Sequence, residues 1–142
     1  LMRGRDAIAV ALRHPDGRVG AAPPPLSLTA DDVLELQARA RRVRVDDALV
    51  DYIMAIVEKT RFHESLSLGV SPRGAQALYR ATQALASAEG RVYAIPDDVK
   101  RLAAPVYAHR VVINTRVALA QRASEVAERI LQEILTEVEV PL

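Results

Sequence analysis

An arginine in the first turn of a predicted helix is the feature of this sequence best suited to bind a charged ligand. Residues 69–74 read Gly-Val-Ser-Pro-Arg-Gly. Ser71 is expected to cap a helix, and Pro72 fits the first helical position, where its missing N–H costs nothing. The free N–H groups at such an end favour an anion, and Arg73 adds a charged fork that matches phosphate oxygens. Taken alone, however, the pattern favours an ordinary capped helix with a solvated arginine.

A basic run between the first two predicted helices is the second candidate. It contains four arginines, Arg39, Arg41, Arg42 and Arg44. Because Asp46 and Asp47 follow the run and Glu35 precedes it, a solvated and locally neutralised edge is the expected interpretation. A nucleic-acid or partner surface is the alternative. The absence of interleaved aromatic residues and a net charge of +1 both argue against nucleic acid.

Other kinds of chemistry find little support in the sequence. The three histidines, His14, His63 and His109, are far apart and form no His-Glu-x-x-His pair, so no metal site is predicted. The acid pairs at 31–32, 46–47 and 97–98 each open a predicted helix, where capping is favoured over acid–base catalysis. There is no phosphate-binding Gly-x-x-x-x-Gly-Lys-Ser/Thr loop and no nucleophile elbow. The chain has no cysteine, and no apolar run approaches the roughly 18 residues of a membrane span.

The elements that must position these residues are predicted to be helices. Residues 1–26 are interpreted as a connector, with a turn signal that allows a small hairpin at about 7–20 and an extended stretch at Pro23–Pro25. Residues 27–142 are predicted to form one all-α helical bundle of about five helices. Their expected spans are about 29–41, 46–60, 72–89, 96–108 and 118–137, without clear strand alternation.

Apolar residues at helical spacing predict the face that each helix buries. In the first helix the apolar side carries Val33, Leu34 and Leu36. In the others the predicted faces are Leu49, Ile53 and Ile56 in the second, Ala75, Leu78, Ala81 and Leu85 in the third, Val99, Leu102 and Val106 in the fourth, and Leu119, Ala123, Val126, Ile130 and Ile134 in the last.

Several short motifs occur in an order and spacing that resemble one family. They are Asp51-Tyr52-Ile53, Thr60-Arg61 with His63 soon after, the run from Leu68 to Arg73, Ala84-Leu85, Gly90-Arg91, the run from Pro96 to Lys100, His109-Arg110 and Val140-Pro141. This succession, over about 115 residues from Ser27 onward, resembles the C-terminal lid of MoxR-type AAA+ ATPases. The family often has Thr or Ser before the proline of the fourth helix. Because Ile95 stands there, that helix start is expected to fray.

The resemblance implies a helical lid behind a nucleotide-binding core that is not in this chain, in a protein that forms a ring, commonly a hexamer. It implies that Arg73, with Ser71 and Pro72 beside it, is the sensor-2 position that reaches the γ-phosphate of ATP bound by the same protomer. The first residue, Leu1, is taken to indicate a fragment of a longer protein.

The whole protein is then expected to be a cytoplasmic, chaperone-like ATPase that uses ATP and Mg²⁺, often alongside proteins with von Willebrand factor A domains. This chain alone carries no Walker motif and is expected to be inactive and to bind neither. The alternative left open is a free-standing helical adaptor or DNA-binding module that uses the edge from Arg39 to Arg44.

Overall fold

The computed structural model describes residues 28–114 and 123–141 of the chain. The chain divides into two units, residues 1–33 and residues 34–142. The described part contains five helices, α1 (Ala30–Arg41), α2 (Asp47–Phe62), α3 (Pro72–Ala88), α4 (Pro96–Tyr107) and α5 (Ala123–Glu137), and two short strands, β1 (Leu66–Leu68) and β2 (Val112–Ile113). The predicted all-α fold is confirmed. The predicted connector 1–26 and the predicted helical residues 118–122 lie outside the described residues. No described helix has the length and apolar character needed to cross a membrane.

The first helix begins with the predicted cap. The Thr29 hydroxyl accepts a hydrogen bond from the backbone N–H of Asp32 (3.1 Å), and the Asp32 carboxylate accepts from the backbone N–H of Thr29 (2.8 Å). The Thr29 hydroxyl also donates to the Asp32 carboxylate at 2.6 Å, and this bond, followed by the one from the Thr29 backbone N–H, holds the pKa of Asp32 below its ordinary value. The predicted apolar side of α1 is not buried, since Val33, Leu34 and Leu36 are 40%, 61% and 47% exposed.

In the second unit, α2 to α5 surround one hydrophobic core. The predicted faces of α2 and α5 are buried there, with the exception of Ala123, which is exposed, and Leu119, which lies outside the described residues. The centre of the core consists of side chains less than 2% exposed, among them Ile56, Leu78, Val99, Tyr107, Leu131 and Ile134. On α4, Leu102 and Val106 are half-buried, and Val99 is fully buried as predicted.

The buried row of α3 differs from the predicted one. Of the four residues expected to be buried, only Leu78 is, while Ala75, Ala81 and Leu85 are half-buried. The buried row consists of Gly74, Leu78, Thr82 and Ala86, with Gln83 beside it. A pattern of apolar residues cannot predict this row, because it contains a glycine and a threonine and the buried residue beside it is a glutamine. The side chains of Thr82 and Gln83 are both satisfied by hydrogen bonds.

A two-stranded ribbon, which the sequence did not predict, joins two loops of the second unit. β1 and β2 pair antiparallel, with Leu66 opposite Ile113 and Leu68 opposite Val112. The backbone N–H of Asn114 donates to the carbonyl of Ser65 at 2.8 Å. The ribbon therefore holds the loop before α3 beside the segment that follows α4.

A polar contact from α3 holds the turn between α1 and α2. The side-chain amide of Gln83, which is 7% exposed, donates to the carbonyl of Val43 at 2.9 Å. The backbone of Arg44 then bonds to the segment before α4, donating to Val92 and accepting from Ala94, both at 2.9 Å. The basic run is thus fixed through its backbone, which leaves its side chains exposed.

One acid of each predicted pair accepts a hydrogen bond at a helix start, Asp32 at α1, Asp46 at α2 and Asp98 at α4. Asp46 caps α2 by accepting from the backbone N–H of Ala48 at 3.1 Å. At α4, the carboxylate of Asp98 is 1% exposed and accepts from the backbone N–H of Ile95 (2.9 Å) and from both terminal nitrogens of Arg91 (2.6 and 2.8 Å). The fraying expected from Ile95 is therefore offset, because Asp98 bonds back to the cap residue that lacks a hydroxyl of its own.

We expect Tyr107→Phe to flatten the alkaline decline of stability. Tyr107 is 0% exposed, its hydroxyl bonds to no described residue, and burial raises its pKa well above the ordinary 10.0, with Arg110 opposing the shift. Above about pH 10 the unfolded chain releases this proton while the folded chain keeps it, so the free energy of unfolding falls as pH rises. Urea denaturation between about pH 7 and 11 measures the slope.

At pH 7 the same substitution should leave the free energy of unfolding unchanged or slightly raised, since it removes a buried hydroxyl that lacks a partner. Tyr93→Phe, at a side chain 48% exposed, is the control and should keep the wild-type slope. If the free energy of unfolding of Tyr107→Phe falls with rising pH as steeply as that of wild type, the decline does not come from the Tyr107 hydroxyl.

Candidate functional site

The N-terminus of α3 places the predicted site residues as expected. Ser71 is the cap, with extended backbone angles of −76° and 164°, and its hydroxyl accepts from the backbone N–H of Gly74 at 3.3 Å. Pro72 occupies the first helical position. Arg73 follows in the first turn, is exposed, and makes no hydrogen bond or ion pair with any residue that the structure describes. Its guanidinium is therefore available to an external ligand.

The loop before Ser71 is fixed to the end of α2 by two hydrogen bonds that both involve the backbone of Val70. The backbone N–H of Val70 donates to the hydroxyl of Thr60 at 3.0 Å, and the carbonyl of Val70 accepts from Nε of Arg61 at 3.1 Å. The Thr60 hydroxyl in turn donates to the carbonyl of Val57 at 2.6 Å. Since the Val70 side chain is 1% exposed, its backbone and side chain are both held.

Two glycines allow this loop to approach α2 and α3 closely. A Cβ at Gly69 would lie 2.6 Å from the backbone nitrogen of Arg61 and 2.7 Å from the carbonyl carbon of Thr60. A Cβ at Gly74 would lie 2.6 Å from Cγ1 of Val70. The space at Gly69 is closed by helix backbone, which cannot move aside as a side chain can. Gly69 and Gly74 thus occur in this motif because a larger residue at either position would overlap a neighbouring group.

An open groove of about 660 Å³ lies beside the start of α3. Two arginines line it, Arg61 from the end of α2 and Arg110 from the segment after α4, together with Ser71 and Pro72, the residues that directly precede Arg73. Nε of Arg110 donates to the carbonyl of Val106 at 3.1 Å, and its Cδ is 3.6 Å from where a Gly74 Cβ would be. No acidic side chain is among the described residues that line the groove, so its charge is positive.

The sequence prediction named Ser71 and Pro72 beside Arg73 but did not assign Arg61 or Arg110 to the groove that Ser71 and Pro72 line. Both arginines occur in motifs of the resemblance, yet their spacing from Arg73 along the chain gives no sign of proximity. Arg110 reaches the groove because the ribbon between β1 and β2 brings its segment beside the loop before α3. A signal for this pairing would have required recognising strands of two and three residues.

The basic run lies apart from this arrangement of lining residues. Its four arginines are exposed, as expected of a solvated edge, and none forms an ion pair with a described residue. None of them lines the groove beside α3. The run is therefore a separate exposed surface of the chain.

A second, mostly apolar groove of about 340 Å³ runs between α2 and α3. Ile53, Met54 and Tyr79 line it, with Gln76 and Arg80 at its edge. Arg73, Gln76 and Arg80 have spacings of three, four and seven, so they share one exposed side of α3. The side of α3 that presents Arg73 therefore also borders an apolar surface.

Comparison with known proteins supports one family. The sequence model of the AAA lid domain family matches residues 58–134, which contain α3, α4 and all the lining residues of the groove beside the start of α3. The chain is 42% identical over 115 residues to the uncharacterised protein YeaC of Bacillus subtilis, an alignment that covers 81% of this chain and 35% of YeaC. It is 37% identical over 130 residues to the chaperone MoxR1 of Mycobacterium tuberculosis, covering 82% of this chain and 34% of MoxR1.

A shorter match, 52% identical over 46 residues, relates 32% of the chain to 14% of the protein MoxR of Paracoccus denitrificans. The fold resembles a crystal structure of a proposed ATPase from Cytophaga hutchinsonii, with a TM-score of 0.78 and 23% identity, over 100% of this chain and 44% of the other. The chain thus spans about a third of the length of YeaC and MoxR1.

We expect Gly69→Ala to destabilise the fold strongly, although it adds only one methyl group. The added methyl would overlap the backbone of Arg61 and Thr60, so the loop must move away from α2 at a cost of about 1–3 kcal/mol in the free energy of unfolding. Urea denaturation measures the change. Gly90→Asn is the control: Gly90 has a φ of 77°, which asparagine tolerates, and open space around it. If Gly69→Ala lowers the free energy of unfolding no more than Gly90→Asn does, the loop is not in contact with α2.

Proposed function

The chain belongs to the AAA lid domain family and is the helical lid of a MoxR-type AAA+ ATPase, and we propose that it closes over ATP bound by a core domain outside this chain. The relatives that carry this assignment are about three times as long as the alignment, so the activity belongs to the whole protein. In this proposal the lid supplies the sensor-2 arginine, Arg73, to the γ-phosphate.

The observation that carries the proposal is the free guanidinium of Arg73 at a rigidly held helix start. Helix N-termini favour anions through unpaired N–H groups and the helix dipole, and the arginine adds two parallel donors that fit phosphate oxygens. Ser71 and Pro72 fix the geometry of that first turn.

The groove beside α3 fits a polyphosphate. Arg61 and Arg110 give it positive charge from two other segments, and no carboxylate among its described lining residues opposes an anion. Arginine is suited to this task because its charge persists at every physiological pH. The core, which supplies the nucleotide-binding loop and the ligands of Mg²⁺, would hold ATP and the ion. The residues of this chain would bind the outer phosphate and exclude water from it.

The apolar groove between α2 and α3 supports a core on the same side. Met54 is 41% exposed and lies in a groove whose lining is largely apolar. Exposed apolar surface of this kind marks contacts with another domain or protein. Because the groove borders the side of α3 that presents Arg73, a core that packs there would also bring its nucleotide to the arginine.

We further propose that the whole protein is a chaperone-like remodelling ATPase of the cytoplasm. It would act as a homo-oligomeric ring, a hexamer, alongside a protein with a von Willebrand factor A domain. Support for a chaperone role comes from the name of the M. tuberculosis relative, and a ring is typical of AAA+ proteins. The alternative of a free-standing adaptor or DNA-binding module loses its main support, because the chain belongs to the lid family.

The chain by itself should not hydrolyse ATP. Phosphoryl transfer needs Mg²⁺ ligands and an oriented water, and the motifs that provide them are absent from the sequence. A phosphate-release assay on the purified chain should give the buffer rate. Activity that is lost on mutating a residue of this chain would contradict the lid assignment.

In the full-length ATPase, Arg73→Ala should lower turnover about tenfold or more. Preorganised charge that meets charge developing on the γ-phosphate is worth on the order of several kcal/mol, and a mobile lid gives part of it. Arg73→Lys should recover only part of the rate, because an ammonium keeps the charge and loses the two-pronged geometry. Steady-state ATPase kinetics measure both.

The control for these variants is Arg41→Ala on the basic run, another exposed arginine, which should leave turnover nearly unchanged. Melting temperatures of all three variants should match wild type, since Arg73 contacts no described residue through a polar bond. If Arg73→Ala hydrolyses ATP at the wild-type rate, the sensor-2 assignment is wrong even though the family is not in doubt.

A further inference from the structure

We infer that Thr60 is a positioning residue that sets the location of Arg73, an inference that rests on the sensor-2 role proposed above. Thr60 is 0% exposed, so it cannot touch a ligand itself. It can act only through the groups to which its hydroxyl is bonded, the carbonyl of Val57 and the backbone N–H of Val70. The first bond ties the hydroxyl to α2, and the second ties the loop before α3 to the hydroxyl.

The path from Thr60 to Arg73 contains little rotational freedom. Val70 is held at its N–H by Thr60, at its carbonyl by Arg61, and at its side chain by the core. Ser71 is fixed by its cap bond to Gly74, and the ring of Pro72 fixes its own φ. The Cα of Arg73 is therefore placed by the last turn of α2 rather than by α3 alone.

Close contact makes the placement sensitive to this one hydroxyl. Gly69 lies against the backbone of Thr60 and Arg61, and Gly74 lies against the Val70 side chain. If the N–H of Val70 loses its acceptor, the loop must either leave a buried polar group unpaired or move away from α2. Moving the loop carries the first turn of α3 with it, and an arginine that is misplaced by about 1 Å loses much of its effect.

Thr82 offers a matched comparison within the same domain. It too is 0% exposed, and its hydroxyl donates to a carbonyl of its own helix, Leu78, at 2.9 Å. No described loop N–H donates to the Thr82 hydroxyl, whereas Val70 donates to that of Thr60. Replacement of either threonine by valine removes one buried hydroxyl, but only Thr60→Val releases the loop that carries Arg73.

The test is a double-mutant cycle on kcat in the full-length ATPase. Thr60→Val should lower kcat about fivefold with KM for ATP changed less than about twofold, because the arginine acts more on the transition state than on bound ATP. In an Arg73→Ala background the same substitution should change kcat less than about twofold. Thr60→Ser keeps the hydroxyl and should restore the rate, and Thr82→Val should leave it unchanged. Thr60→Ala is measured as well, because it removes the hydroxyl without adding the second methyl group of valine. A loss of kcat in both variants then comes from the missing hydroxyl rather than from the packing of valine.

Amide hydrogen exchange, followed by mass spectrometry on peptides that cover residues 69–74, gives a readout independent of activity. Thr60→Val should accelerate exchange in this segment, and Thr82→Val should not. Equal losses of kcat in the wild-type and Arg73→Ala backgrounds would overturn the inference, since the hydroxyl would then act elsewhere. Unchanged exchange would overturn it as well. An Arg73→Ala variant with the wild-type kcat would instead refute the sensor-2 role. The hydrogen-exchange data would still decide whether Thr60 holds the loop.

Discussion

The arrangement around Arg73 depends on how Val70 is held between α2 and α3. Its side chain is in the core, and both of its backbone polar groups bond to consecutive residues at the end of α2. A loop is ordinarily the most mobile part of a domain, because its backbone bonds mainly to water. Here both backbone polar groups of Val70 bond to α2, so the residue just before the cap of α3 is tied to the helix before it. The position of an exposed residue is thus determined by buried ones.

Other loops of the lid are held in the same manner, by polar groups placed in or beside the core. Gln83 donates to the carbonyl of Val43 and fixes the turn after α1. Asp98 accepts from Arg91 and from the backbone of Ile95, which fixes the start of α4, and Glu89 bonds to Arg91 at 2.7 Å on the exposed side of that pair. The hydrogen bonds from Arg91 and Arg101 hold the pKa of Glu89 below its ordinary value. The buried side chains of Gln83 and Asp98 are both paired, so their desolvation is compensated, and each pairing fixes a loop.

Features fixed by neighbouring residues could be predicted from the sequence, and features fixed by distant ones could not. The caps at Thr29 and Ser71 are determined within three residues, and the apolar spacing in α2 and α5 repeats over several turns. The ribbon pairs strands more than forty residues apart, and each is too short to show alternation. The approach of Arg110 to α3 depends on that ribbon, so a local sequence pattern could not predict that Arg110 lines the positive groove. The roles of Thr60 and Gln83 were missed for a related reason, since a buried polar residue has no periodic signature.

A fixed start of α3 has a consequence for how a lid can control ATP hydrolysis. If the loop before α3 moved freely within the lid, the proposed contact of Arg73 with phosphate would be set by loop motion, and lid movement would have little influence. Because the bonds of Val70 tie the backbone at the start of α3 to α2, the Cα of Arg73 moves with the lid as a body, while its exposed side chain keeps its own rotational freedom. A rotation of the lid by a few degrees displaces every residue at the α3 start together, by an amount that grows with distance from the hinge. If Arg73 is the sensor-2 arginine, as we propose, the hydroxyl of Thr60 would couple a movement of the whole domain to the approach or withdrawal of one charge.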